Sequence, residues 1–239
     1  MSTEFMEIPT ADGPMIVCVA TPQGEPRGAI AVVPEAFGLT DHIVDVTGRC
    51  AVAGYIGVGI DIFHRAGAHR VADYDDFAAV PPLFAGLDDD GLLVDIDAVV
   101  AYLAGRDVTP TRTGIIGFCF GGRVSFLAAT RRGLGGAVSF YGGGIASQGF
   151  FKAFPPLLDK VAAIQTPWLG LFGDRDRSIP VDEVELLKSA LLSAGAQTAV
   201  VQYPDADHGF HCDARASYNE VAAADAWSRT IDWMEQHLA

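Results

Sequence analysis

Three side chains far apart in the sequence have the types that covalent acyl transfer needs: the thiol of Cys119, the imidazole of His208 and the carboxylate of Asp176. Cys119 stands at the centre of Gly117-Phe118-Cys119-Phe120-Gly121-Gly122, after the apolar run Gly114-Ile115-Ile116 and before the helix-like stretch Arg123 to Thr130. That context predicts a strand-to-helix turn that lifts the thiol above a sheet, a nucleophile elbow with sulfur in place of oxygen. Glycines two before and two after suit it, since a Cβ there would meet the neighbouring strand or helix. The helix beginning at the turn aims N–H groups and its positive dipole end at the sulfur, which favours thiolate. An ordinary thiol has a pKa near ~8.5 and is mostly protonated at neutral pH. His208 is the base that would take its proton, and Asp176 would fix the imidazole tautomer and stabilise the imidazolium. The competing readings are a buried structural cysteine, a turn histidine beside Gly209, and an N-cap at Asp176 for a helix near Val181, with Asp174 as a rival acid.

The three occur in a telling order. Asp176 follows the apolar run Trp168 to Phe172, in Gly173-Asp174-Arg175-Asp176-Arg177-Ser178-Ile179-Pro180, and His208 follows Thr198 to Tyr203, in Pro204-Asp205-Ala206-Asp207-His208-Gly209-Phe210. Both thus sit at carboxyl ends of strands, where open parallel sheets place active sites, and nucleophile, acid, histidine is the chain order of the α/β-hydrolase triad.

From about Met15 to the C-terminus the chain resembles the dienelactone hydrolase family, the cysteine-using branch of that fold. The resemblance rests on Val33-Pro34-Glu35-Ala36-Phe37-Gly38-Leu39, Gly117 to Arg123, Gly173 to Pro180 and Tyr203 to Phe210. It implies a carboxymethylenebutenolidase-type enzyme that cleaves a small ester or lactone through a thioester, without cofactor or metal, as a monomer or small homo-oligomer. Backbone N–H groups of Phe120 and Ala36 would form the oxyanion hole. Glu35, just after an early strand, would project towards the elbow, pair with the resting thiol and take its proton when substrate arrives; otherwise it is a loop carboxylate facing water. Arg65 matches an arginine that holds the substrate carboxylate, the alternative being an ion pair with Asp73, Asp75 or Asp76. The family's second arginine is absent: Cys212 stands there, with Arg215 three residues further on and Arg123 on the elbow helix, expected to point elsewhere. Phe37, Phe63, Tyr141 and Phe210 are pocket aromatics or core. A broader carboxylesterase or thioesterase, and a non-catalytic binding or thiol-sensing protein, stay open.

The elements that must hold these groups alternate. Strands are expected at Met15–Ala20 (antiparallel), Ala29–Val33, Ile56–Ile60, Gly114–Ile116, Ala137–Tyr141, Trp168–Phe172 and Thr198–Tyr203. Helices fall between them: Asp41 to Ala53; a stretch with Leu92, Ile96, Val99 and Leu103 on one face; the elbow helix; one marked by Val184, Leu187, Leu191 and Ala194; and a closing helix with Trp227, Ile231, Met234 and Leu238 as its buried stripe. This predicts an α/β-hydrolase fold, a mostly parallel sheet covered by helices on both faces, in one domain over residues 1–239. An irregular segment near 62–91 has the length of one that covers a site.

Bulk properties narrow the function classes. With 16 Lys and Arg against 30 Asp and Glu, the net charge of −14 repels nucleic acid and anionic membranes. The first residues lack a basic region and apolar core, and no stretch reads as a membrane span, so a cytoplasmic protein is expected. Cysteines 18, 50, 119 and 212 form no disulfide framework or zinc ribbon. His208, His211, Cys212 and Asp213, or His64 with His69, fit no known metal-ligand spacing, and the glycine clusters make no dinucleotide-binding pattern.

Overall fold

The computed structural model describes residues 3–67, 72–150 and 152–238; His69 lies outside them. Eight strands form one sheet: β1 (Thr3–Thr10), β2 (Gly13–Ala20), β3 (Ala29–Val33), β4 (Ile56–Ile60), β5 (Thr113–Phe118), β6 (Gly136–Phe140), β7 (Trp168–Gly173) and β8 (Thr198–Tyr203). Their spatial order is β1-β2-β4-β3-β5-β6-β7-β8. β2 pairs antiparallel with β1 and β4, and all pairs from β4 through β8 are parallel. Every residue of β3 to β7 is buried, as strands covered on both faces must be. Outer strand β1 is mostly exposed, with only Ile8 buried, and β8 is half-buried throughout.

The main helices are α1 (Asp41–Val52), α3 (Asp89–Ala104), α4 (Phe120–Arg131), α5 (Val181–Ala194) and α6 (Glu220–His237), with a single turn, α2 (Val80–Leu83), before α3. α1 and α6 flank a groove lined by Arg49, Val52, Trp227 and Ile231, while α3 packs against α4. In α3 the expected face is the buried one: Leu92, Ile96, Val99 and Leu103, with Asp88 capping the first turn through Gly91 N at 2.7 Å. The stripe of α6 holds at Met234 and Leu238 and is displaced by one residue in its first half. Ala222, Ala226, Thr230, Met234 and Leu238 are buried, with Trp227 and Ile231 flanking them half-exposed. Small residues bring α6 close to the sheet, where a Cβ on Gly114 would lie 2.5 Å from Met234 Sδ. The strand Thr3–Thr10 is absent from the expected elements. Its residues Thr-Glu-Phe-Met-Glu-Ile-Pro-Thr carry two charges and a proline, and it is fixed by pairing with β2 along its whole length.

Candidate active site

Backbone strain at the elbow is the first requirement, and it is present. Cys119 takes φ 53° and ψ −113°, a conformation that side chains with a Cβ rarely adopt and that costs on the order of 1–3 kcal/mol. The neighbours leave no alternative. A Cβ on Gly117 would lie 1.8 Å from Gly121 O, and one on Gly121 would lie 2.4 Å from Val33 O and 2.5 Å from Pro34 O. α4 therefore begins in direct contact with the ends of β5 and β3. Cys119 N donates to Phe140 O at 3.0 Å, and Gly122 O accepts from Ser139 Oγ at 2.7 Å, itself the acceptor for Trp168 Nε1 at 2.7 Å. The elbow is thus tied through β6 to β7.

His208 and Asp176 meet at the ends of β8 and β7. His208 Nδ1 lies 2.6 Å from Asp176 Oδ2, and the other carboxylate oxygen accepts from Ser178 N at 2.8 Å, Ser178 Oγ at 2.6 Å and Ile179 N at 3.2 Å. The carboxylate is buried and held at both oxygens. Burial pushes the Asp176 pKa up, but these donors and His208 outweigh it and keep it below its ordinary value. Asp174 is occupied elsewhere, accepting from Gln202 Nε2 at 3.0 Å. Burial works to lower the His208 pKa, yet the electrostatic interaction with Cys119 and the partner Asp176 together raise it to about 10. The imidazole thus stands between the sulfur and the carboxylate, placed to take the thiol proton and to stay paired while it holds it.

Cys119, His208 and Asp176 open on a cavity of about 410 Å³, whose wall includes Ala36, Phe37, Phe120, Tyr74, Phe77, Phe150 and Phe154. The volume suits a small molecule, and the lining is mainly apolar. Phe120 heads α4, where N–H groups point out along the helix axis, and Ala36 faces the same cavity from the end of β3. Tyr74 and Phe77 of this wall belong to the segment near 62–91. Phe77 meets Phe150 of the opposite wall edge-on, with centroids 5.0 Å apart.

The charged residues are arranged in a way the spacing does not reveal. Glu35 is 1% exposed, and its Oε1 accepts from Arg215 Nη1 at 3.0 Å, while Oε2 has no hydrogen-bond partner among the described residues. Arg215 lines the cavity, lies 5.9 Å from the Phe37 ring and 5.8 Å from the Tyr74 ring, and passes so close to Gly209 that a Cβ there would sit 2.4 Å from Nη1. The only sign of it in the sequence is a basic residue three positions beyond Cys212. Arg65, the expected clamp, is placed elsewhere. It grips both oxygens of buried Asp95 at 2.8 Å and Asp12 Oδ2 at 2.7 and 2.9 Å, and it does not line the cavity. It bolts the 61–67 turn to α3 and to the β1–β2 turn; neither partner is among Asp73, Asp75 and Asp76. Arg123 does reach the cavity wall, although it is nearly buried. Its guanidinium donates to both oxygens of Asp89 at 2.6 and 3.0 Å and to Pro155 O at 2.7 Å.

Of the expected pocket aromatics, Phe37 lines the cavity. Phe63 is core, packed on Phe84 at 5.2 Å, and Tyr141 and Phe210 form a buried layer beneath the site. Tyr141, at φ 39°, sets its ring 5.1 Å from the His208 ring. No helix among the described residues is long and apolar enough to cross a membrane.

Comparison with known proteins points to one family. The model of the family described as "Dienelactone hydrolase family" matches residues 15–238. A protein of Escherichia coli (strain K12) assigned as a carboxymethylenebutenolidase is 35% identical over 240 residues, covering 98% of this chain and 86% of that one. A protein of Bradyrhizobium sp. assigned as a 2-oxo-3-(5-oxofuran-2-ylidene)propanoate lactonase is 32% identical over 212 residues, covering 88% of this chain and 84% of its own length. A crystal structure of a protein from Klebsiella pneumoniae assigned as a dienelactone hydrolase superposes with a TM-score of 0.88 at 33% identity, covering 98% of both chains.

Proposed function

Since the chain belongs to the dienelactone hydrolase family, and so to a family of hydrolases, we propose that it cleaves a small carboxylate-bearing ester or lactone through a thioester on Cys119. The observation that carries this reading is the strained thiol beside a His208–Asp176 pair at the floor of a cavity whose wall also holds the Arg215 guanidinium.

His208 takes the proton of Cys119, and the thiolate adds to the carbonyl carbon. Negative charge develops on the carbonyl oxygen, where the Phe120 and Ala36 N–H groups stabilise it; such donors are typically worth ~2.7–4 kcal/mol each. Collapse breaks the acyl C–O bond, and His208 returns its proton to the departing oxygen. In a lactone the alcohol stays attached to the acyl group. Water, deprotonated by His208, then adds to the thioester, and the acid leaves as Cys119 regains its proton.

Arg215 supplies the preference for a carboxylate. A guanidinium presents a fork of donors that matches one, and the Bradyrhizobium relative is named for a propanoate lactone. In the free protein this fork is held by Glu35. A substrate carboxylate must compete for it, and a Glu35 released from Arg215 becomes a second acceptor for the thiol proton. With one guanidinium of this kind, carboxylate-bearing lactones bind less tightly than two would allow.

The covalent step is tested by acid-quenching the enzyme during turnover of an activated ester and weighing the intact protein. An added acyl mass on the peptide containing Cys119, absent from Cys119→Ala, is expected. Undiminished turnover by Cys119→Ala would overturn the reading.

A further inference from the structure

Beyond the catalytic cavity, His42, Cys212 and Asp213 converge from two distant parts of the chain. His42 is in the first turn of α1, whereas Cys212 and Asp213 follow the catalytic histidine loop. One ring nitrogen, the sulfur and one carboxylate oxygen all lie within 4.8 Å of one another. From these residues we infer a divalent transition-metal site, of the borderline type that zinc fills, with three protein ligands and a fourth position for water.

Two observations point to it independently of the clustering. His42 is about nineteen-twentieths buried, yet neither of its ring nitrogens has a hydrogen-bond partner among the described residues, and Nδ1 faces Asp213 Oδ1 at 3.8 Å. Buried imidazoles normally satisfy at least one nitrogen, because an unmade hydrogen bond there costs about 1–3 kcal/mol. The separation is also suggestive. It is too long for a hydrogen bond, but tetrahedral zinc with bonds of ~2.0–2.3 Å sets its donor atoms about 3.3–3.8 Å apart. Contraction from at most 4.8 Å is on the order of 1 Å, within reach of small side-chain rotations.

The chemistry of the three donors agrees. Imidazole, thiolate and carboxylate are the ligands zinc uses, and three with an open position are typical of non-structural zinc sites. Burial drives His42 towards the neutral form, which carries a free lone pair. Cys212 is wholly buried, while the Asp213 side chain is 63% exposed, so an ion has a way in from solvent along the carboxylate. On ligation the Cys212 thiol would give its proton to solvent. Tyr74, which interacts electrostatically with Cys212, lines the substrate cavity, so occupancy would be felt at the active site.

The probe is cobalt(II), added to protein carrying Cys119→Ala so that the triad sulfur is out of play. A thiolate-to-cobalt absorption saturating at one equivalent is expected. Cys212→Ser should abolish that band. Asp213→Asn, at an exposed position that does not endanger folding, should weaken cobalt binding more than tenfold with the circular dichroism unchanged. Absence of the band in the Cys119→Ala protein, its persistence in Cys212→Ser, or unaltered affinity in Asp213→Asn would each overturn the proposal.

Discussion

Replacing Arg215 with methionine separates recognition of the substrate's charge from the chemistry at the thiol. The guanidinium is the cation of the cavity wall tied to the buried carboxylate of Glu35, and methionine keeps its apolar reach beside Phe37 and Tyr74. Truncating one partner of a buried, hydrogen-bonded charge pair costs about 2–5 kcal/mol, and each ~1.4 kcal/mol is a factor of ten. Because 22% of the Arg215 side chain remains exposed, solvent screening favours the lower part of that range. The expected loss in kcat/KM on a carboxylate-bearing lactone is therefore about 30- to 300-fold, against a change within about threefold on a neutral ester of similar size. The assay is steady-state hydrolysis of both substrates by wild type, Arg215→Met and the double variant Glu35→Gln/Arg215→Met. The double variant removes the uncompensated buried charge, so it should recover thermal stability lost by the single one without recovering the preference. Equal losses on both substrates, or a preference restored together with stability, would refute the assignment of Arg215 to substrate recognition.

Three further outcomes follow from the same geometry. Arg65→Met should lower the melting temperature, since it strands buried Asp95, yet leave the ratio of kcat/KM values for the two substrates unchanged. The pH profile should hold up to high pH: burial works to lower the His208 pKa, but the interactions with Cys119 and Asp176 raise it to about 10, so the imidazolium that protonates the leaving oxygen is lost only as pH rises through that value. In Asp176→Asn the descending limb should move to lower pH, which a kcat/KM titration would reveal. Gly121→Ala forces a Cβ to 2.4 and 2.5 Å from two backbone oxygens, and should destabilise the protein by about 1–3 kcal/mol in urea unfolding while lowering ester turnover.

The parts of the molecule legible in the sequence are those where local pattern and tertiary demand coincide. The elbow announces itself because glycines at positions 117 and 121 answer a steric need that any side chain would violate. The buried face of α3 is plain because Leu92, Ile96, Val99 and Leu103 are large and regularly spaced. In α6 the buried residues are chiefly alanine and threonine, and size misleads: Trp227 and Ile231 attract the eye but sit at the margin of the contact. Strand β1 is fixed by its partner β2 and has no apolar alternation strong enough to show. Arg65 and Arg215 illustrate a different limit. Position after a strand suggested the first, whereas a turn of backbone between His208 and Arg215 carries the second into the cavity, and such a path is invisible until the chain is folded.

Arg123 joins parts that are otherwise independent. From the elbow helix it holds Asp89, where the segment covering one side of the cavity ends, and Pro155 O on the opposite side. Cys119, Asp176 and His208 sit at strand ends of the sheet, whereas Tyr74, Phe77 and Phe150 of the cavity wall lie on two excursions fastened to that frame at a shared rivet. Mutations in either excursion can therefore reshape what is accepted without disturbing how it is cleaved. Over evolutionary time, such a chassis can exchange one acyl compound for another while its reaction is inherited intact.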